Sequence, residues 1–270
     1  SPTPAPAPPA PVTIDEALAR TTDDGTVLLR LTVARAHPLG PRIEPFVLAW
    51  PGWGSTLRAV SAHPLQELDW IEVVGPKDAD RERLAVKTAV GDDVIDARLG
   101  ARSDGTLRVV VRPRPHLVVA GPPDAAASIA AILARGALVE PTGELTGDEG
   151  EALHVDLPHP HDAVPEVPAD ATRLVVRVYS RPGGAAEGFA SMQCADAATA
   201  THVAEALRAR VDSVNGVVAR LLTHDLLGEL VITTEGDAVD LRLPATREQL
   251  EALATLASAL LADGMTTPPG

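Results

Sequence analysis

One cysteine, Cys194, is the whole thiol content of this 270-residue chain, which excludes an intrachain disulfide framework and any CxxC metal or redox motif. A lone cysteine is most often a small buried hydrophobe. Aromatic residues are nearly as scarce, at 2%, so the core has to be built from Val, Leu, Ile and Ala, a bias that also points to a GC-rich genome. No apolar run reaches the length a helix needs to cross a bilayer. Positive charge is in deficit as well: 23 Lys and Arg stand against 37 Asp and Glu, for a net charge of −14. Nucleic-acid binding needs clustered Lys and Arg, and this balance repels a polyanion. It disfavours an anionic membrane surface for the same reason.

Catalytic signatures are missing too. Ser191 and Cys194 lie in GFASMQC with His202 downstream, but there is no GxSxG elbow, and a strand would send the two nucleophile candidates to opposite faces. Gly183 and Gly184 read as a turn rather than a phosphate-cradling loop. Neighbouring carboxylates such as Asp23 with Asp24, or Asp92 with Asp93, suit turns and helix N-termini. The reading is a protein that is not an enzyme and carries no cofactor.

What is present is a regular, apolar body: 45% of the chain is hydrophobic, enough for a core. The first residues read SPTPAPAPPAPV, a polyproline II spacer that can form neither helix nor ladder. Such stalks separate folded domains from bacterial lipid anchors, so the expectation is an envelope lipoprotein whose leader and acylated cysteine lay upstream.

Residues 26–35 alternate as a strand, and Ile43, Phe46, Val47 and Trp50 predict a helix over 42–50 that Pro51 and Gly52 end. Strands follow at 70–75 and 83–90, a short helix at 92–99, strands at 106–112 and 116–121, and a helix at about 124–136. The second half predicts strands at 172–180 and 188–194 and a long helix at 196–224 with Val203, Leu207, Val211, Val214, Val218 and Leu221 on one stripe. A hairpin then turns at Gly236 and Asp237, and Thr246 with Gln249 forms a capping box that opens the last helix.

Residues 70–135 and 172–262 thus share one order of elements. The expected fold is α+β: two similar β-β-α-β-β-α modules, as two antiparallel sheets or one continuous sheet, with helices packed on one face. The expected organisation is a Pro-rich stalk at 1–12, modules at 13–135 and 172–263, an acidic linker at 136–171 and a tail at 264–270. Residues 1–135 hold 15 basic and 16 acidic groups and the remainder 8 and 21. Negative charge therefore concentrates in the linker and second module, as a solvated connection would have it.

Two clusters are candidates for binding. HVDLPHPHD supplies His154, Asp156, His159, His161 and Asp162, all donors that suit a divalent metal. His159 and His161 would point the same way in an extended segment. Against this, the spacing matches no known zinc pattern, and a Pro-rich surface loop can gather His without binding anything. Phe46, Trp50, Trp53 and Trp70 form the second cluster. Phe46 and Trp50 belong to a core stripe, whereas Trp53, between Gly52 and Gly54, reads as a loop residue whose ring needs a partner. Trp53 and the loop around Trp70 are therefore the expected contact surface.

The phrases LTVARAHPLG, EPFVLAWPGW and HPLQELDWIEVVGP, with the closing TREQLEALATLASALL, give the chain a resemblance to uncharacterised envelope lipoproteins of GC-rich Gram-negative, myxobacterial-type bacteria. The resemblance covers most of residues 13–262, leaves out the acidic His-bearing segment, and implies a periplasm-facing or outer-membrane-tethered location without implying an activity. Together these readings predict a scaffold for a protein partner in the envelope. The alternative is a metal-binding protein using the His154–Asp162 segment.

Overall fold

A computed structural model describes residues 12–14, 18, 27–32, 40–49, 53–75, 83–88, 91–100, 109–122, 131, 138–139, 150–163 and 167–266. In chain order the first half holds β1 (Val12–Thr13), β2 (Val27–Thr32), α1 (Gly40–Ala49), α2 (Trp53–Val60), α3 (Pro64–Glu67), β3 (Leu68–Gly75), β4 (Arg83–Thr88), α4 (Asp92–Gly100), β5 (Val109–Arg114), β6 (Leu117–Gly121) and β7 (Leu138–Val139). The second half holds β8 (Gly150–Pro158), α5 (Pro160–Ala163), β9 (Ala171–Arg181), β10 (Ala185–Cys194), α6 (Ala197–Val214), α7 (Val217–Thr223), β11 (Val231–Glu235), β12 (Ala238–Ala245) and α8 (Arg247–Thr266).

Ten strands form one sheet in the order β11-β12-β10-β9-β8-β2-β3-β4-β6-β5, and its neighbours run antiparallel. β1 and β7 make a separate parallel pair. Outward from the centre, β2-β3-β4-β6-β5 on one side and β8-β9-β10-β12-β11 on the other place their strands in the same sequence order. The two central strands join them by pairing Leu31 with Leu153 and Leu29 with Val155. The fold is therefore α+β around a large antiparallel sheet.

This seam revises the reading of residues 136–171. Their charge suggests a solvated connection, but residues 150–158 are a central strand, bonded to β2 on one side and β9 on the other. The alternation of Leu153, Val155 and Leu157 explains it. These side chains lie on the helix-covered face, and the acidic and His positions between them lie on the other.

Helices cover one face. Leu57 and Val60 of α2, Leu65 of α3 and Ile95 of α4 pack on Leu31, Ile71, Val73, Leu84, Val86, Val118 and Ala120. In the second half Ala200, Val203 and Ala204 of α6 pack on Leu157, Leu174, Met192, Cys194 and Val239. Gly54 permits the contact between α1 and α2, since a Cβ there would collide with the Leu48 carbonyl.

Three expected features meet a different outcome. The long helix at 196–224 is broken at Asn215–Gly216, where α6 ends and α7 begins, because Asn and Gly are both weak helix formers. Its apolar stripe packs on the core cluster only as far as partly buried Leu207; Val214 is 45% and Leu221 74% exposed. Trp53 begins α2 rather than sitting in a loop. Trp50 and nearly all of the helix expected at 124–136 lie outside the described residues, as do the side chains of Phe46 and Trp53. The hairpin and cap stand as read: Gly236 takes φ 59° between paired Glu235 and Ala238. Thr246 Oγ1 accepts from the Gln249 N–H at 3.3 Å, while Gln249 Oε1 accepts from the Thr246 N–H at 2.8 Å.

Candidate functional site

The face opposite the helices behaves differently in the two halves. In the first half it is buried: Trp70 is 7% exposed, Glu72 0%, Val74 1% and Val119 0%. Glu72 accepts there from Arg30 at 3.4 Å. Trp70 is thus a buried strand residue and cannot contribute to a contact surface, a correction to the reading of its neighbourhood as an exposed loop. Its position between Leu68 and Ile71 in an almost wholly buried strand accounts for this.

In the second half the same face is open. Strand alternation places Arg173, Val175, Arg177, Tyr179 and Arg181 of β9 on it. Register adds Glu187, Phe189 and Ser191 from β10 and Asp240 and Arg242 from β12. Tyr179 and Phe189 are the only aromatic residues after Trp70 in the sequence. Both lie half-buried on this face, ring centroids 5.8 Å apart and planes at 80°, an edge-to-face pair. The Arg181 guanidinium lies 5.5 Å from the Tyr179 ring centroid, within cation–π range. Around the pair runs a groove of about 690 Å³ lined by Val175, Arg177, Arg181, Ser191 and Asp240. A second cavity of about 700 Å³ continues past Arg181 toward Gly183, Glu229 and the α8 N-terminus.

Charge on this face is arranged in two levels. Arg173 grips Asp156 through two nitrogens, at 2.9 and 2.5 Å. Arg181 and Arg242 both donate to Glu187, each at 2.5 Å at its closest. Arg177 lies 3.8 Å from Glu151, and the Tyr179 hydroxyl donates to the same carboxylate at 3.4 Å. The carboxylates are the deeper partners: Asp156, Glu151 and Glu187 are 20%, 21% and 13% exposed, whereas Arg173, Arg177 and Arg242 are 61%, 50% and 60% exposed. Hydrogen bonds from Arg181 and Arg242 hold the Glu187 carboxyl below the usual carboxylate range.

The proposed metal ligands are divided by the fold. His154 and Asp156 share the open face on β8, with His154 Nδ1 3.3 Å from Glu151 and Asp156 held by Arg173. His159 follows the strand at φ 48°. His161 sits in α5 with its Nδ1 2.6 Å from the Val167 carbonyl. The extended segment that would have aligned His159 and His161 does not exist. Asp162 is in α5, its side chain outside the described residues. Among the described residues no group of three or more His, Cys, Asp or Glu is arranged to hold a metal ion.

Ser191 and Cys194 separate as the strand reading expects. Ser191 is exposed on the open face, while Cys194 is buried against α6, and burial pushes its thiol pKa up. The sequence reading overlooked Tyr179 and Phe189. Both fall in segments read as paired strands, and their isolation in an otherwise non-aromatic half was the available signal.

No family model matches this chain, and no curated protein sequence does. Solved structures do share its fold. Crystal form III of TP0453 superposes with a TM-score of 0.52 at 13% identity, over 88% of this chain and 97% of that one. Crystal form IV of TP0453 gives 0.50 at 14% identity, over 89% and 96%. No helix among the described residues is long and apolar enough to cross a membrane. The chain is thus similar in fold to TP0453 along nearly its whole length.

Proposed function

We propose that this chain is a non-enzymatic, envelope-associated interaction module that binds a protein partner through the open face of its second half. The observation that carries this reading is the placement of Tyr179 and Phe189. In a chain this poor in aromatic residues, two of the six rings are kept on a solvent-facing sheet surface and out of the core. Aromatic residues beside arginine are the composition of binding hot spots. The envelope setting rests on the proline-rich stretch at 1–12 and on the sequence resemblance.

The matching strand orders of the two halves further support an origin by internal duplication. On that view the first copy buried its second face and the second copy kept it free for a partner.

The test is chemical crosslinking of the native protein in its envelope fraction, with mass-spectrometric identification of crosslinked peptides. Crosslinks flanking β9, β10 and β12 that vanish in a Tyr179→Ala, Phe189→Ala variant of near-native melting temperature are expected. Retention of every partner by that variant would overturn the proposal.

A further inference from the structure

Asparagine occurs once in the 270 residues, at Asn215, and the residue after it is Gly216. In this pair the side-chain amide is unusually open to attack by the next main-chain nitrogen, because glycine has no Cβ to shield that nitrogen. The pair stands at the joint between α6 and α7, inside neither helix. The helix stop itself does not call for asparagine. Asn215 keeps φ −83°, a value open to most residues, and at the far end of α7 the left-handed positions are filled by His224 and Asp225.

The joint leaves both reacting groups unengaged. The Gly216 N–H meets no acceptor among the described residues, and no atom lies within 4 Å of where a Cβ on Gly216 would stand. Asn215 Oδ1 is buried and receives no hydrogen bond, so no donor fixes the amide in its present rotamer. Bringing Cγ onto the Gly216 nitrogen needs a turn of the Asn215 ψ away from 45°. A counter-turn of φ at Gly216 lets the peptide between them swing while both helices stay in place, a freedom that glycine has and other residues lack. The swing breaks the bond from Arg220 Nε to the Asn215 main-chain oxygen at 3.2 Å, and the Arg220 side chain is 59% exposed, so water replaces the lost partner.

We propose that Asn215 is a site of spontaneous covalent modification, closing on Gly216 to a succinimide that opens to aspartate and isoaspartate. The Gly216 nitrogen attacks Asn215 Cγ. The N–Cγ bond forms, the Cγ–Nδ2 bond breaks, and the proton from the Gly216 nitrogen leaves with Nδ2 as ammonia. Water, the one co-reactant, then opens the ring. Its addition at Cγ gives aspartate; its addition at the main-chain carbonyl carbon gives isoaspartate, in which the chain runs through the former side chain and is one methylene longer. Either product sets a negative charge at the C-terminal end of α6, where the helix dipole opposes it. Isoaspartate also lengthens the tether of α7, whose Val217 and Leu221 are 77% and 74% exposed.

The experiment incubates the full chain at neutral pH and body temperature, folded or in guanidinium, and cleaves samples after arginine. Cleavage at Arg210 and Arg220 releases residues 211–220 as one peptide, whose amide, aspartate and isoaspartate forms are resolved by liquid chromatography with mass spectrometry. The folded protein is expected to convert at no less than a tenth of the rate in guanidinium, with isoaspartate in excess. Gly216→Ala is expected to slow the folded rate at least tenfold. Gly216 has φ −71° and open space around it, so alanine fits, and circular dichroism checks the fold. A folded rate below that tenth would overturn the proposal, since the fold would then protect the site. Conversion unchanged by Gly216→Ala would also overturn it, because ring closure on the Gly216 nitrogen would not be the route.

Discussion

Replacing Val155 by proline tests the seam between the halves. Val155 sits in β8, paired to Leu29 on one side and Val176 on the other, so each of its backbone polar groups faces a bonded neighbour. Proline removes the N–H, leaves a buried carbonyl without its donor at about 1–3 kcal/mol, and strains a central strand besides. A total near 3 kcal/mol is expected. With a urea dependence of about 3 kcal/mol per molar for a chain of this size, the unfolding midpoint falls by about 1 M. The assay uses two probes. All three tryptophans, Trp50, Trp53 and Trp70, lie in the first half, so their fluorescence reports that half alone, while far-ultraviolet circular dichroism reports both. A substitution in the second half must move the tryptophan transition by the full amount if β8 binds the halves into one cooperative sheet. An unchanged tryptophan midpoint would refute the reasoning and restore the segment to the role of a linker.

Other outcomes follow from single sites. Glu187→Gln is expected to lower the melting temperature at pH 7, by an amount that shrinks as pH falls below 4.5. The folded-state carboxyl titrates below its unfolded value near 4.5, so its stabilisation is present above that value and lost as pH falls through the lower, folded one. A difference that does not shrink as pH falls below 4.5 would contradict this. Gly54→Ala is expected to cost about 1–3 kcal/mol through collision with Leu48, read as a shift in urea midpoint; neutrality would mean the α1–α2 contact is looser than described. Thr246→Ala removes one side of the capping box and should cost about 1 kcal/mol, measured the same way. Cys194, buried with a raised thiol pKa, should react with a maleimide only under denaturing conditions; rapid labelling of the native protein would contradict its placement.

Much of the sheet is legible in residue periodicity because strand alternation is local. Residues 70–75, 83–90, 172–180 and 188–194 all show it, and all lie in or overlap strands. The hairpin turn at Gly236 and the Thr246 cap are equally local signals. β8 was not legible because two of its polar positions, Glu151 and Asp156, are paired with Arg177 and Arg173 of β9, partners that no local pattern reveals. The open face escaped notice for a related reason. Strand alternation identifies which residues share a face, but whether that face is covered depends on elements distant in sequence. Trp70 and Tyr179 both occupy the face away from the helices, and only the packing of each half makes one buried and the other accessible.

The central β2–β8 pairing also sets a timetable for folding. Leu31 meets Leu153 across 122 residues of chain, the kind of non-local contact that slows folding most. During synthesis β3 and β4 can close as a local hairpin and β2 can join them, but β2 then remains an unpaired edge until the ribosome has delivered residues 150–158. An exposed edge carrying Leu29 and Leu31 invites pairing with another chain. The half-made protein is therefore the species most in need of a chaperone, and a truncation ending before residue 150 would aggregate where the complete chain does not.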